Sequence, residues 1–110
     1  MKLPNTDKVI ISKSKLTEYI LSETQHIGKN KAKVFRKLGF YKSNYLEFKT
    51  SLKKLAKKEK VQKVIEISYG VTYVIEGEIE TPVGIAINAR TVWIIRKVET
   101  QPRLVTIYPL

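Results

Sequence analysis

The spacing of hydrophobic and polar positions changes near residue 61, from the period of a helix to that of a strand. Before this point apolar residues recur three or four positions apart, and after it they alternate with polar residues. This pattern predicts an α+β fold, with two or three N-terminal helices followed by a four- to five-stranded antiparallel meander sheet. A chain of 110 residues provides for one hydrophobic core, so we expect residues 1–110 to form a single domain.

Two helices are predicted before residue 40, after a short extended lead. Ser14 can cap the first helix, and the second covers residues 29–38, where Gly39 is placed to end it in the left-handed conformation. The polar residues 22–28 between the two helices are expected to form a loop. The side chains predicted to face the core are Leu16, Tyr19 and Ile20 in the first helix and Val34, Phe35 and Leu38 in the second.

A third helix is predicted to begin near Ser43 or Asn44, because Asn44 and Glu47 have the spacing of a capping box. One of its faces is apolar and the opposite face is rich in lysine. The apolar positions are Tyr45, Phe48, Leu52 and Leu55, and the lysine face consists of Lys49, Lys53, Lys57 and Lys60. A lysine face of this kind can simply keep a protein soluble, or it can bind a polyanion.

The second half is predicted to turn at residues 81–84 between two strands of alternating pattern. For the apolar residues on both sides of this turn to face the same way, the loop must hold an odd number of residues or a bulge. Arg90 then lies on the face that carries the glutamates, where one interpretation of this residue is a salt bridge to Glu76. Trp93 stands among apolar neighbours and is predicted to belong to the core.

The net charge of the chain, +11, lies entirely in residues 1–60, which carry 16 Lys and Arg against 5 Asp and Glu. Residues 61–110 carry 5 of each kind. We therefore distinguish a basic helical half from a neutral sheet half. Such an asymmetry is typical of a protein that meets a polyanion.

The composition excludes several classes of catalytic site. One histidine and no cysteine do not provide a common zinc site, and neither common Gly-rich phosphate loop is present. We therefore expect no metal and no cofactor. RNA cleavage needs neither, because the RNA 2′-hydroxyl attacks its own phosphate once an acid, a base and phosphate-binding cations are in place.

His26 and the start of the second helix form the first group of candidate residues. His26 is the side chain that titrates near neutrality without help, and the N–H groups at a helix N-terminus favour anions. His26, Gly28, Lys29 and Lys31 are therefore predicted to form a phosphate pocket, although a lone histidine is often an ordinary loop residue. The residues predicted to bind nucleic acid are Lys29, Lys33 and the lysine face of the third helix, Lys49, Lys53, Lys57 and Lys60.

The sheet supplies the second group of candidate residues. Arg90 carries the forked donors that match a phosphate. Thr106 and Tyr108 share one face of the last strand by alternation, while Val105 and Ile107 take the other. Thr106 can equally be a strand-forming residue that happens to be polar.

Several segments resemble an uncharacterised bacterial domain family of about this length, which occurs beside short partner genes and at the ends of toxin-like proteins. They are Leu3-Pro4-Asn5, Lys15-Leu16-Thr17, His26-Ile27-Gly28-Lys29-Asn30-Lys31-Ala32, Leu38-Gly39-Phe40 and Arg103-Leu104-Val105-Thr106-Ile107-Tyr108-Pro109. A more distant resemblance is to the barnase–EndoU–colicin–RelE group of metal-independent ribonuclease toxins. This resemblance implies that His26 and Lys31 fill the helical role, Arg90 the mid-sheet cation position, and Thr106 with Tyr108 the last-strand position.

Two hypotheses for the function follow from these observations. The first is a cytoplasmic, metal-independent endoribonuclease that serves as the toxin of a toxin–antitoxin pair, with RNA as substrate and a small acidic antitoxin or immunity protein as partner. The second is a non-catalytic module that binds nucleic acid or a protein partner. A membrane is not an expected partner, since the lysine-rich helix keeps only a core-facing stripe for its apolar side.

Overall fold

A computed structural model, which describes residues 1–21 and 29–110, has a helical first half followed by an antiparallel sheet. The predicted α+β class and the order of helices and strands are thereby confirmed. The main elements are α1 (Lys29–Lys37), α2 (Tyr45–Lys58), β1 (Val61–Ile67), β2 (Gly70–Ile79), β3 (Ile87–Arg96) and β4 (Arg103–Pro109). The described strands form a four-stranded meander in the order β1-β2-β3-β4. Short 3₁₀ turns cover Thr6–Lys8 and Lys42–Asn44.

The first predicted helix is a π-helix over Lys15–Ile20. The amide of Leu21 donates to the carbonyl of Leu16, five residues back, at 2.8 Å. Ser12 caps this segment, because its Oγ accepts a hydrogen bond from the Lys15 amide at 3.1 Å; the prediction of Ser14 as the cap is wrong. Leu16 and Ile20 are fully buried as predicted, and the side chain of Tyr19 lies outside the described part of the chain.

Helix α1 ends at Gly39, as its sequence indicates. Gly39 has φ 93°, and its amide donates to the carbonyl of Arg36 while the amide of Phe40 donates to that of Phe35. These two hydrogen bonds form a Schellman motif. Phe35 is fully buried, but Val34 is 40% exposed, because the buried stripe of α1 runs through Ala32 and Phe35; the inward orientation predicted for Val34 is wrong.

Asn44 stabilises the turn before α2 and does not cap the helix with its side chain. Its Oδ1 accepts a hydrogen bond from the amide of Tyr41, and its Nδ2 donates to the carbonyl of Gly39 at 2.8 Å. The predicted capping box with Glu47 is therefore wrong. The side chain of Asn44 instead connects the end of α1 to the start of α2.

The hydrophobic core lies between the helices and one face of the sheet, which we call the inner face. Helix α2 packs on β2 and buries Phe48, whose ring stacks on that of Phe40 with centroids 4.3 Å apart. On the inner face Ile75, Trp93 and Ile107 are fully buried, which confirms the prediction for Trp93. Burying an aromatic or aliphatic side chain of this size contributes about 1.5–3 kcal/mol relative to exposure.

The opposite face of the sheet, which we call the outer face, carries Glu76, Arg90 and Tyr108 in one row across three strands. Arg90 pairs with Glu76 on β2 and with Tyr108 on β4. The loop between β2 and β3 spans residues 80–86, which is an odd number of residues, as the pattern requires. Glu76 and Arg90 therefore share a face, as predicted.

Strand β4 departs from simple alternation at Val105. Thr106 pairs with Val92 and Leu104 with Trp93, so the register shifts between these two pairs. Thr106 and Tyr108 share the outer face as predicted. Val105, however, is 36% exposed while Ile107 is fully buried, and the expectation that both lie on the same face is wrong.

The N-terminal lead and α1 lie along the edge of β4 that does not pair with β3. The amide of Ile10 donates to the carbonyl of Pro102, and the amide of Leu104 donates to the carbonyl of Ile10. Helix α1 contacts β4 nearer its C-terminal end, where Lys31 reaches Thr106. This arrangement brings the basic helical half against the last strand.

Candidate functional site

Lys31 joins the helical half to the last strand. Its Nζ donates a hydrogen bond to Oγ1 of Thr106 at 2.8 Å and lies 4.3 Å from the centroid of the Tyr108 ring. The second contact is a cation–π interaction. Lys31 stands in the first turn of α1, and the packing of α1 beside β4 directs it to the two alternate residues that β4 presents on the outer face.

The surroundings of Lys31 disfavour the charged form of its ammonium group. Burial lowers the pKa of Lys31 below its ordinary value of 10.5, and the positive charge of Lys15 lowers it further. Lys15 belongs to the π-helix, so the basic half contributes a second cation close to Lys31. A cation held in this way is relieved by an incoming anion and loses its proton more readily than an exposed lysine.

Arg90 lies beside Tyr108 on the outer face and forms a salt bridge with Glu76. Its Nε donates to Oε2 of Glu76, which is the structural interpretation that the sequence left open for this residue. Residues paired directly across two strands have Cβ atoms about 4.5–5.5 Å apart, so Arg90, Tyr108 and Glu76 are neighbours. The row continues the group formed by Lys31 and Thr106.

Of the five predicted catalytic residues, Lys31 therefore contacts both Thr106 and Tyr108, and Arg90 adjoins them through its pairing with Tyr108. His26 and Gly28 lie outside the described residues. Thr106 is nearly buried, whereas Tyr108 is 44% exposed. The group is accessible from the Tyr108 side.

The predicted nucleic-acid-binding lysines occupy both helices. Lys29 is the first residue of α1. On α2, Lys53 and Lys57 are exposed and Lys49 is half-buried. Lys60, which follows the end of α2, and Lys33 of α1 are exposed as well. Because Phe48, Leu52 and Leu55 are buried on the other side of α2, the lysine face points away from the core.

The group at Lys31 combines cationic, hydroxyl and carboxylate side chains. An ammonium and a guanidinium provide positive charge, two hydroxyls provide donors, and Glu76 provides a carboxylate within the same row. Residues 1–21 and 29–110 contain no cluster of three His, Asp or Glu side chains that can hold a metal ion.

Two residues of this group were not identified as site residues from the sequence. Lys15 acts on Lys31 from a helix sixteen positions earlier, and no motif connects them. Glu76 was considered only as a partner for Arg90. Its alternation on the same face as Arg90 is the signal that points to it.

The family described as "Domain of unknown function (DUF6883)" matches residues 2–110. The chain belongs to this family. The match covers nearly the whole sequence, in agreement with the resemblance to an uncharacterised domain family noted from the segments around His26 and Arg103.

The DUF6883 chain is similar to a solved structure over nearly its whole length. A chain of the contact-dependent growth inhibition toxin–immunity protein complex from Klebsiella pneumoniae 342 matches with a TM-score of 0.75 and 17% identity, covering 94% of this chain and 95% of that chain. At this level of identity the similarity shows a common fold. None of the curated proteins matches the chain. Within the described residues, no helix is long and apolar enough to cross a membrane.

Proposed function

We propose that this protein is a metal-independent endoribonuclease and acts as a toxin in the cytoplasm, cleaving RNA by attack of a 2′-hydroxyl on the adjacent phosphate. The observation that carries the proposal is the contact of Lys31 with Thr106 and Tyr108. It joins residues of the basic half and the sheet half into one group that supplies a phosphate-binding cation and two hydroxyls, to which His26 adds a proton-transfer group in the proposed reaction.

Each residue of the group has a role in the proposed reaction. Lys31 and Arg90 bind the oxygens of the scissile phosphate and stabilise the negative charge that develops on them. Thr106 and Tyr108 position the phosphate through their hydroxyls or share in proton transfer, so that one group accepts the 2′-hydroxyl proton while another protonates the leaving 5′-oxygen. His26 transfers a proton to or from the reacting oxygens, and the exposed lysines of α2 hold the flanking backbone.

The proposed toxin role draws on the fold shared with a chain of a toxin–immunity protein complex. The charge of +11 suits the component that meets RNA, and an inhibitor that covers such a protein must neutralise it. We therefore propose a small acidic antitoxin or immunity protein as the partner.

The deciding experiment incubates the purified protein with RNA in an excess of chelator. We expect cleavage products that end in a 2′,3′-cyclic phosphate, and no cleavage of a 2′-deoxy strand of the same sequence. His26→Ala and Lys31→Ala should each reduce the rate strongly. Intact RNA, or cleavage by both variants at the wild-type rate, would overturn the proposal.

Lys37→Ala is the matched control for Lys31→Ala. Lys37 is an exposed lysine at the end of the same helix, so its loss removes the same charge from α1 without removing the contacts to β4. Cleavage by the Lys37→Ala variant should stay within a few-fold of wild type.

A second candidate function, a non-catalytic module that binds nucleic acid, is favoured by the exposed lysine face of α2. This function predicts binding that weakens steeply with salt and is accompanied by no strand scission. Replacing Lys53 and Lys57 together should then matter more than replacing Lys31. The same chelator experiment separates the two functions, because only the first consumes the RNA.

A further inference from the structure

A basic cleft lies on the outer face beside the group at Lys31. Its volume is about 340 Å³, and its floor is formed by apolar residues of β3, β4 and the N-terminal lead. The polar and aromatic side chains around it are Ser12, Lys15, Tyr69, Arg96 and Arg103. These residues come from four separate segments of the chain, so only the folded sheet assembles them.

The cleft has an excess of positive charge. Arg96 and Arg103 share one carboxylate, that of Glu99, with Arg103 Nε at 2.9 Å and Arg96 Nη1 at 3.5 Å from its two oxygens. Lys15 adds a third cation to the same rim. The hydrogen bond from Arg103 lowers the pKa of Glu99, so the carboxylate stays ionised and fixes the two guanidinium groups in place.

Tyr69 gives the cleft an exposed aromatic wall. It occupies the two-residue turn between β1 and β2 and is 63% exposed. Its ring therefore does not pack in the core and is accessible to a ligand. Its backbone carbonyl accepts a hydrogen bond from the amide of Lys97, which ties the turn to the end of β3. Cations that track a backbone next to an exposed aromatic ring are the combination that holds single-stranded nucleic acid.

The cleft and the group at Lys31 are contiguous. Lys15 lines the cleft and also lowers the pKa of Lys31 by its charge. Arg103 pairs with Ile94, and Thr106 pairs with Val92, two residues further along β3. Two residues of a strand span about 6.6 Å, so the two sites lie side by side on one face.

We propose that this cleft is a subsite for single-stranded RNA, in which Lys15, Arg96 and Arg103 bind the backbone phosphate next to the scissile one and Tyr69 stacks on the neighbouring base. The proposal rests on the proposed function, since it takes the group at Lys31 as the place where the strand reacts. The guanidinium forks match the paired oxygens of a phosphodiester. The subsite fixes the strand in register so that one phosphate reaches Lys31.

The test measures binding of a fluorescent 2′-deoxy oligonucleotide, which presents the same phosphates and cannot react. Arg96→Ala should weaken binding several-fold and make the dependence of log K on log salt shallower by about 0.7, the value for one phosphate contact to a single strand. Lys97→Ala is the matched control, because Lys97 is an exposed cation next in sequence that does not line the cleft. Binding by the control should keep the wild-type salt slope.

A second measurement compares cleavage of a dinucleotide, which has one phosphodiester, with cleavage of a longer strand. Arg96→Ala should lower kcat/KM for the longer strand and leave the dinucleotide unaffected, because the dinucleotide has no second phosphate for the cleft. Arg96→Gln is a second variant that removes the charge and keeps a polar side chain. An unchanged thermal unfolding temperature of this variant would show that the sheet is intact.

The outcomes separate the subsite from the nuclease. If no form of the protein cleaves RNA but Arg96→Ala still weakens binding and flattens the salt slope relative to Lys97→Ala, the cleft binds the backbone and the nuclease proposal fails. If wild type cleaves RNA but both arginine variants behave like Lys97→Ala in binding and on the longer strand, the subsite is overturned and the nuclease remains.

Discussion

Lys31 Nζ donates a hydrogen bond to Thr106 Oγ1 at 2.8 Å, across 75 positions of sequence. The same ammonium lies over the ring of Tyr108. A lysine that only keeps a protein soluble extends into water, whereas this side chain is half-buried and reaches the last strand. The contact is therefore the feature on which the first predictions are built.

Replacing Lys31 by alanine should reduce RNA cleavage by about 100-fold or more, the range for losing a positioned proton-transfer or charge-stabilising group. The measurement is kcat/KM on a defined oligonucleotide in chelator. Thr106→Val removes the hydroxyl that holds the ammonium and should reduce cleavage less than Lys31→Ala does. An equal loss in Lys37→Ala would show that only the total charge of α1 matters.

The pH dependence of cleavage should report the lowered pKa of Lys31. The protonated form binds the phosphate, so the rate should fall as pH rises through a value below 10.5, the ordinary pKa of lysine. Lys31→Arg keeps its charge at alkaline pH and should move the decline of the rate to higher pH. If the decline stays at the same pH in this variant, a group other than Lys31 causes it.

The lowered pKa of Lys31 also makes the free energy of unfolding depend on pH. The direction is opposite to that expected for a salt-bridged lysine, whose pKa is raised on folding. Because the folded state holds the proton of Lys31 less tightly than the unfolded state, the unfolded state binds more protons in the window just below pH 10.5. The free energy of unfolding should therefore rise with pH across this window. Urea titrations of wild type and Lys31→Met, compared at several pH values, isolate this contribution.

The salt bridge between Arg90 and Glu76 should contribute little to the free energy of unfolding. Arg90 itself should contribute strongly to RNA cleavage. Its side chains are 48% and 32% exposed, and such pairs contribute about 0–1 kcal/mol. Arg90→Ala should therefore change the free energy of unfolding by about 1 kcal/mol or less, while cleavage falls by about 100-fold. Arg90→Lys restores the charge without the fork, and only partial recovery of activity is expected. A purely structural arginine would show unchanged cleavage.

Replacing Thr91 by valine should destabilise the sheet by about 1–3 kcal/mol, the cost of leaving buried polar groups unpaired. Thr91 Oγ1 accepts a hydrogen bond from Trp93 Nε1 at 2.8 Å and donates to the carbonyl of Ile75 at 2.9 Å, and both side chains are fully buried. Urea unfolding measures the loss. Thr72→Val, at a half-buried position on the outer face, serves as the control, and an equal loss there would contradict this explanation.

The helix-to-sheet order was predictable because it depends on local periodicity. Phe48, Leu52 and Leu55 follow one helical stripe and are buried as a stripe, and Gly39 ends α1 with a positive φ. The caps were less predictable. Ser12 replaces Ser14, and Asn44 bonds backward to Gly39, because several short polar side chains stand near each helix end and tertiary packing selects among them.

The sequence alone determined the basic and neutral halves, the alternation that sets Arg90 beside Glu76, and the shared face of Thr106 and Tyr108. These follow from charge counts and from the two-residue period of a strand. Only the tertiary structure decided that Lys31 meets Thr106 and that Lys15 lies close enough to lower its pKa. No local rule relates these residues, because their approach depends on the packing of α1 against β4 and on where the fold places the π-helix.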